Sequence, residues 1–209
     1  FTSGINNGGN GHLYVLNAVT GAIVYKVPTL VAGDPVGTSA NPNGLNKLNA
    51  WINAPSDNVA SRFYAGDLFG NLWRFDTNNL TPPPAGSVKT ADTRSTRVAQ
   101  FKIGTTVQPI TTVPLLAEVS YSGNRYPVVL VGTGRYLGDP DVLDTTTRNS
   151  IYVVRDPLDS TGWTNVRTHM VAKTLDASTK LTDSTTVNWA DTQGAGWYMD
   201  FPDAGERVA

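Results

Sequence analysis

The sequence predicts an all-β protein, and a β-propeller is the architecture that it favours. Its apolar segments are short, rich in β-branched and aromatic residues, and bounded by Gly, Asn or Asp, which is typical of strands. No segment shows sustained helical periodicity. Several of the short segments also share one residue pattern, which indicates a chain built from similar repeated units.

The repeated pattern occurs in three strict copies and one looser copy: HLYVLN (12–17), NLWRFD (71–76), SIYVVR (150–155) and GWYMDF (196–201). In the strict copies, three positions are always apolar or aromatic: Leu13, Leu72 and Ile151; Tyr14, Trp73 and Tyr152; and Leu16, Phe75 and Val154. Apolar side chains therefore point to both faces of the strand. We expect this strand to be central in its sheet, with the aromatic position in the core.

Each strict copy has an antiparallel neighbour marked by turn residues. RFYAGDLFG (62–70) runs directly into the second copy, and PVVLVGTGRYL (127–137) precedes the third. After the first copy, Asn17 and Gly21 bracket a tight turn. Each unit is thus predicted to be a small meander that must stack on its neighbours, as propeller blades do. A β-sandwich is the alternative.

The copies are unevenly spaced, which predicts long insertions at 35–61, 78–97 and 137–149. Three consecutive prolines, Pro82 to Pro84, exclude a central strand from the second insertion. We expect residues 1–209 to form a single β-propeller domain or part of one. Because the chain opens on Phe1 and stops at GERVA, we expect a piece of a longer protein and an incomplete ring of blades.

The composition narrows the function classes. The formal net charge is −1 and only 16% of residues are charged, so no charge excess favours nucleic acid or an anionic membrane. The absence of cysteine excludes disulfides, thiolate zinc sites and a thiol nucleophile. No apolar run approaches the roughly 18 residues that span a bilayer.

One acidic segment is a candidate metal site. GDPDVLD places Asp139, Asp141 and Asp144 within six residues of a predicted loop, and calcium prefers such oxygen-rich segments. The spacing differs from that of an EF-hand, and Asp beside Pro also caps turns through backbone hydrogen bonds. Both interpretations stay open, and calcium is the one cofactor that the sequence suggests.

Signals for catalysis are weak. The glycines of GDLFGN lead into a strand rather than a helix, so they do not form a phosphate-binding loop. His12 and His169 lie in no recognisable motif, and no nucleophile elbow is present. Four charged residues lie at strand ends and are the only candidates for a catalytic set, although ion pairing explains them equally well: Asp67, Arg74, Asp76 and Arg135. Three tryptophans lie outside the repeats and are freer to face a ligand: Trp51, Trp163 and Trp189.

Four segments occur in an order that resembles the C-terminal β-propeller of the PilC/PilY family of type IV pilus proteins: RFYAGDLFGNLWRFD, VQPITTVPLL (107–116), PVVLVGTGRYLGDPDVLDTTTRNSIYVVRD and GWYMDFPDAGERV. The stretch GHLYVLNAVTGAIVYK also resembles quinoprotein-type propeller repeats. The resemblance implies a non-enzymatic protein of the bacterial envelope that acts in pilus assembly, adhesion and twitching motility. It also implies a calcium-binding loop before the YAGD strand, where this chain has Ala54, Ser56 and Ala60.

The leading hypothesis is therefore a pilus assembly and adhesion module whose propeller presents loops to pilins, minor pilins or a host surface. The expected location is the bacterial outer membrane, the cell surface or the pilus itself. The alternative is a quinoprotein-like or carbohydrate-active propeller enzyme, which needs convergent charged and aromatic residues. A purely structural propeller piece of a larger envelope protein is the third option.

Overall fold

The computed structural model describes residues 1–54, 56, 58–77, 95–176, 178–179 and 182–208. These residues form β-strands joined by turns and loops, with one four-residue α-helix and one 3₁₀ turn at Val166–His169. None of the helices in these ranges is long and apolar enough to cross a membrane. The predicted all-β class is confirmed.

The chain begins with two hairpins. Strands β1 (His12–Leu16) and β2 (Ile23–Pro28) pair antiparallel, and the short strands β3 (Leu30–Val31) and β4 (Asp34–Pro35) do likewise. The turn between β1 and β2 is the one that the sequence predicted, because the Gly21 amide donates to the Asn17 carbonyl and the Asn17 amide to the Ala22 carbonyl, both at 2.8 Å.

A four-stranded antiparallel meander follows, formed by β5 (Leu48–Ile52), β6 (Ala60–Gly66), β7 (Asn71–Asp76) and β8 (Ser95–Gln100) in that order. The predicted insertion 35–61 is thus wrong in part, because it contains β5. The sequence of β5, LNAWI, has a single β-branched residue and therefore gives a weak strand signal. Residues 78–94 of the second predicted insertion lie outside the described residues, and β8 begins directly after them.

The last sheet has five strands. The short hairpin of β9 (Lys102–Ile103) and β10 (Thr106–Val107) leads into it. The strands of this sheet are, in chain order, β11 (Leu115–Tyr121), β12 (Asn124–Gly132), β13 (Ser150–Arg155), β14 (Met170–Lys173) and β15 (Gly196–Asp200). The helix α1 (Asp139–Val142) lies between β12 and β13 in the chain. The spatial order is β11-β12-β13-β15-β14, with only the β14–β15 pair parallel. The third predicted insertion, 137–149, holds α1 between β12 and β13.

The repeat prediction holds for two of its strict copies. The second and third copies form β7 and β13, each the third strand of its sheet, with nearly every residue buried. The first copy, β1, is paired with β2 on one side and makes only a single bridge, from Leu13 to Thr2, on the other. Tyr14 is accordingly only half-buried and Leu16 is exposed, contrary to expectation. The looser fourth copy is β15, which lies beside β13 in the same sheet.

Three layers stack face to face, and β7 shows how. Successive side chains of a strand point to opposite faces. Leu72 joins a core shared with Val129, Val131 and Tyr152 of the five-stranded sheet. Trp73 points the other way, into a core shared with the β1–β2 hairpin. Strands buried on both faces between successive sheets are what a propeller requires.

Two glycines that end strands make room for the next segment of chain. A Cβ built on Gly66 would lie 2.1 Å from Cγ2 of Ile110, and one built on Gly132 would lie 2.4 Å from Cγ2 of Val208. The Ile110 amide donates to the Asp67 carbonyl (2.9 Å), and the Val208 amide donates to the Thr133 carbonyl (3.2 Å). The segment that leaves each sheet is therefore fixed against the turn after its second strand.

Candidate functional site

The predicted acidic segment surrounds α1, and its three carboxylates take different roles. Asp139 is exposed in the first turn of the helix. Asp141 accepts a hydrogen bond from the Leu137 amide (2.8 Å) and pairs with Arg135 (3.0 Å). Asp144 accepts hydrogen bonds from the amide and hydroxyl of Thr146 and from the Thr147 amide. Hydrogen bonding by the Thr147 side chain, followed by these bonds, lowers the pKa of the Asp144 carboxyl well below the usual value.

This geometry matches the turn-capping interpretation of the segment. In the described part of the chain, no three His, Asp or Glu side chains lie close enough together to hold a metal ion. The three carboxylates of the segment are therefore not gathered around one position in this structure. Of the stretch before the YAGD strand, Asp57 lies outside the described residues. Calcium binding stays a prediction that a titration can test.

Three of the four strand-end charges that were candidates for catalysis form ion pairs: Arg74, Asp76 and Arg135. The Arg74 guanidinium donates through Nη1 to Asp156 Oδ1 (2.6 Å) and through Nε to Asp76 Oδ2 (2.9 Å). The Tyr64 hydroxyl donates to the other oxygen of Asp156 at 2.6 Å. The Asp156 side chain is completely buried. We name Tyr64, Arg74 and Asp156 the latch, because Asp156 follows β13 whereas its two partners lie in the preceding sheet.

Contacts within the latch shift the pKa values of Arg74 and Tyr64. Burial lowers the pKa of Arg74, but the charge of Asp156 together with the hydrogen bond and charge of Asp76 outweighs burial, and the net shift is upward. Burial and the neighbouring Asp156 carboxylate both raise the pKa of Tyr64 well above its usual range. Arg74 is therefore held protonated and Tyr64 is held neutral at neutral pH, which is a structural rather than a catalytic arrangement.

Asp67 is a second buried carboxylate, and it organises the turn between β6 and β7. Its Oδ1 accepts hydrogen bonds from the Phe69 and Asn71 amides, each at 2.9 Å. Its Oδ2 accepts from three side chains at 2.8–3.0 Å: Asn43 Nδ2, Asn71 Nδ2 and Trp73 Nε1. Burial raises the pKa of this carboxyl, and the side-chain donors oppose the rise. With five donors around it, Asp67 offers no free lone pair to a substrate.

The sequence did not predict a third polar cluster, which lies in the five-stranded sheet. Its hydrogen bonds form a closed ring through five side chains: Gln108, Ser150, Tyr152, Arg167 and Asp200. Ser150 occupies the same repeat position as Asn71, at the start of the strict copy. The only sequence signal for this cluster is a polar residue at the first position of an apolar repeat. That signal does not identify the hydrogen-bond partners of Ser150, which lie far away in sequence.

Asp200 in this ring makes stability depend on pH. Burial raises the pKa of its carboxyl, but hydrogen bonds from Arg167 and Ser150 outweigh burial and bring the pKa below the usual value. The folded state therefore binds this proton less tightly than the unfolded chain, and the stabilisation is lost as pH falls through the folded pKa. We expect Asp200→Asn to be less stable than wild type at pH 7, with the difference narrowing towards pH 3 in urea titrations. A constant difference across that range would contradict this assignment.

Of the three unassigned tryptophans, one lines an open site. Trp189 is buried, and Trp163 packs against the core between the last two sheets while its Nε1 donates to the Arg155 carbonyl at 2.7 Å. Trp51 borders a groove of about 710 Å³ between β5 and β11, with the Arg62 guanidinium 4.9 Å from its ring centre. We name this feature the β5–β11 groove. It combines aromatic, apolar and charged side chains on the surface.

Known proteins resemble the chain over almost its whole length. The PilY1 beta-propeller domain model matches residues 2–188. Type IV pilus biogenesis factor PilY1 of Pseudomonas aeruginosa strain PAO1 is 29% identical over 90% of this chain and 18% of its own length. The homolog of that factor in Xylella fastidiosa strain Temecula1 is 28% identical over 95% of this chain and 14% of its own length.

A solved structure supports the same assignment. The crystal structure of the Pseudomonas aeruginosa PilY1 C-terminal domain superimposes with a TM-score of 0.76 and 26% sequence identity, covering 99% of this chain and 48% of that one. The chain therefore spans about half of that domain and less than a fifth of the curated relatives. The sheets formed by the described residues do not close into a ring, as expected for part of a propeller. The chain belongs to the PilY1 beta-propeller domain family.

Proposed function

We propose that this chain is a non-enzymatic module of a type IV pilus biogenesis factor, a rigid scaffold that presents surface sites to pilus components. The family match over residues 2–188 is the observation that carries the proposal. The relatives are named for pilus biogenesis, which supports the pilus or the cell surface as the proposed site of action. Pilins or minor pilins are the proposed partners, and a host surface is a further one if the module acts in adhesion and twitching motility.

The polar clusters support a scaffold rather than an enzyme. Asp67, Arg74 and Asp156 are buried and fully engaged with protein partners. Arg135 is committed to Asp141. A catalytic acid or base must reach a substrate proton, and these groups are occupied by structural hydrogen bonds.

Binding to purified minor pilins tests the proposal. We expect the folded chain to retain at least one minor pilin in a pull-down at physiological salt, and a β-propeller of another family to retain none. Circular dichroism establishes that the chain is folded before it is immobilised. A folded chain that binds neither minor pilins nor the major pilin would contradict the proposed role.

Calcium modulation remains a separate proposal, based on the family resemblance and the acidic segment. A bound ligand raises the melting temperature according to its affinity for the folded state. If calcium binds at this segment, millimolar calcium will raise the melting temperature of wild type and leave that of Asp141→Ala with Asp144→Ala unchanged. Equal melting curves with calcium and with chelator would remove calcium from the proposed function.

A further inference from the structure

The β5–β11 groove lies between two strand edges. β5 and β11 are end strands of their sheets, so each has a hydrogen-bonded neighbour on one side only. At one end of the groove the Asn49 amide donates through Nδ2 to the Pro114 carbonyl at 3.0 Å. Beyond this bond lies the opening of about 710 Å³. Strand edges with free backbone groups are the surfaces to which extended peptides add.

Among the described residues that line the groove, one positive charge has no ion-pair partner. Arg125 pairs with Glu118 at 3.3 Å, and both line the groove. Arg62, the other cation of the lining, forms no ion pair with any residue that the structure describes. Its guanidinium lies over the Trp51 ring at 4.9 Å, an arrangement that orients the planar fork of donors. A carboxylate is the group that such a fork binds best.

An apolar residue with an unusual backbone conformation lines the same groove as this cation. Leu158 lines the groove, is 50% exposed and has a φ of 58°, in the left-handed region that branched residues rarely adopt. Its amide donates to Asp156 Oδ1 at 2.8 Å, so the latch holds it there. Backbone strain that the surroundings maintain is concentrated at functional sites. Leu116 adds a second apolar contact to the lining.

We propose that the β5–β11 groove binds an extended acidic peptide segment of a partner protein. A carboxylate of the peptide pairs with Arg62, an adjacent apolar side chain packs against Trp51 and Leu158, and the peptide backbone follows a strand edge. The free edges favour a peptide over a carboxylated saccharide, because a sugar cannot use a row of backbone donors and acceptors. This inference rests on the proposed function, because the pilus role is the reason for taking the natural ligand to be a protein.

Panning a random octapeptide library on phage against the folded chain tests the proposal. We expect the enriched peptides to carry Asp or Glu next to an apolar residue. Arg62→Gln should weaken binding of the best synthetic peptide about tenfold or more, as measured by calorimetry, since the Arg62 charge has no ion-pair partner among the described residues of the groove. Arg125→Gln is the matched control and should change affinity by less than about threefold, because a rim charge contributes little.

The alternative outcomes separate the ligand classes. Peptides without an acidic consensus, or equal affinity for wild type and Arg62→Gln, would overturn the proposal. Binding of oligogalacturonate, lost in Arg62→Gln, with no peptide enriched would overturn it in favour of a saccharide. The minor-pilin pull-down is read independently: a pilin retained equally by wild type and Arg62→Gln supports the pilus role and places that contact elsewhere.

Discussion

Asp156→Ala is expected to lower the free energy of unfolding by about 4 kcal/mol, because it breaks a buried ion pair from one side. The substitution leaves the Arg74 guanidinium, whose side chain is only 5% exposed, without its buried carboxylate. It also leaves the Tyr64 hydroxyl without its acceptor. Equilibrium denaturation in urea measures the loss, and fluorescence and circular dichroism should report the same transition.

Asp76→Ala is the matched control, because Asp76 pairs with the same guanidinium but its side chain is 37% exposed. We expect this variant to lose less than about 1 kcal/mol. The double variant Arg74→Met with Asp156→Leu removes both charges and should recover much of the stability lost in Asp156→Ala. Similar losses for Asp76→Ala and Asp156→Ala would show that the latch does not join the two sheets.

The second large effect is expected at Asp67, where alanine should also cost about 4 kcal/mol. Five donors lose their acceptor at once, and the Trp73 indole and the Asn43 amide are among them. Buried donors without a partner are expensive because water cannot replace the lost bond. Since Trp73 packs in the core shared with β1 and β2, its fluorescence should change together with the unfolding midpoint.

An exposed aspartate provides the comparison for Asp67. Asp139→Ala removes a carboxylate from the first turn of α1 and should change stability by less than about 0.5 kcal/mol. Asp67→Asn keeps the size of the side chain but replaces one acceptor oxygen with a donor, so an intermediate loss is expected. If Asp67→Ala unfolds at the same urea concentration as Asp139→Ala, then Asp67 does not organise this turn.

The latch and the Asp67 cluster connect segments that are distant in sequence. Arg74 and Asp156 are 82 residues apart, and Asn43 is 24 residues from Asp67. Each cluster ties one sheet to a segment outside it, so neighbouring sheets are fixed by polar contacts as well as by apolar packing. This construction suits a scaffold, in which the binding surface keeps its geometry when a partner is bound.

Local sequence patterns explain only one of the two glycines in the β6–β7 hairpin. Gly70 has a φ of 72°, so it is needed for the tight turn that the sequence predicted. Gly66 has a different reason, since a side chain there would collide with Ile110. That collision involves a residue from the segment that leaves the sheet, and no pattern within the hairpin indicates it.

Short-range patterns of apolar and turn residues predict the all-β class, the buried strands β7 and β13 and the turn at Asn17–Gly21. The order of four segments along the chain indicates the family. Three other features depend on tertiary contacts: Tyr14 is half-buried, Asp67 has five donors, and Arg62 lies over Trp51 in a groove that Leu158 also lines. The physical reason is that burial and pairing depend on which sheet packs against which. A residue pattern fixes the two faces of a strand, whereas the stacking of sheets determines what each face meets.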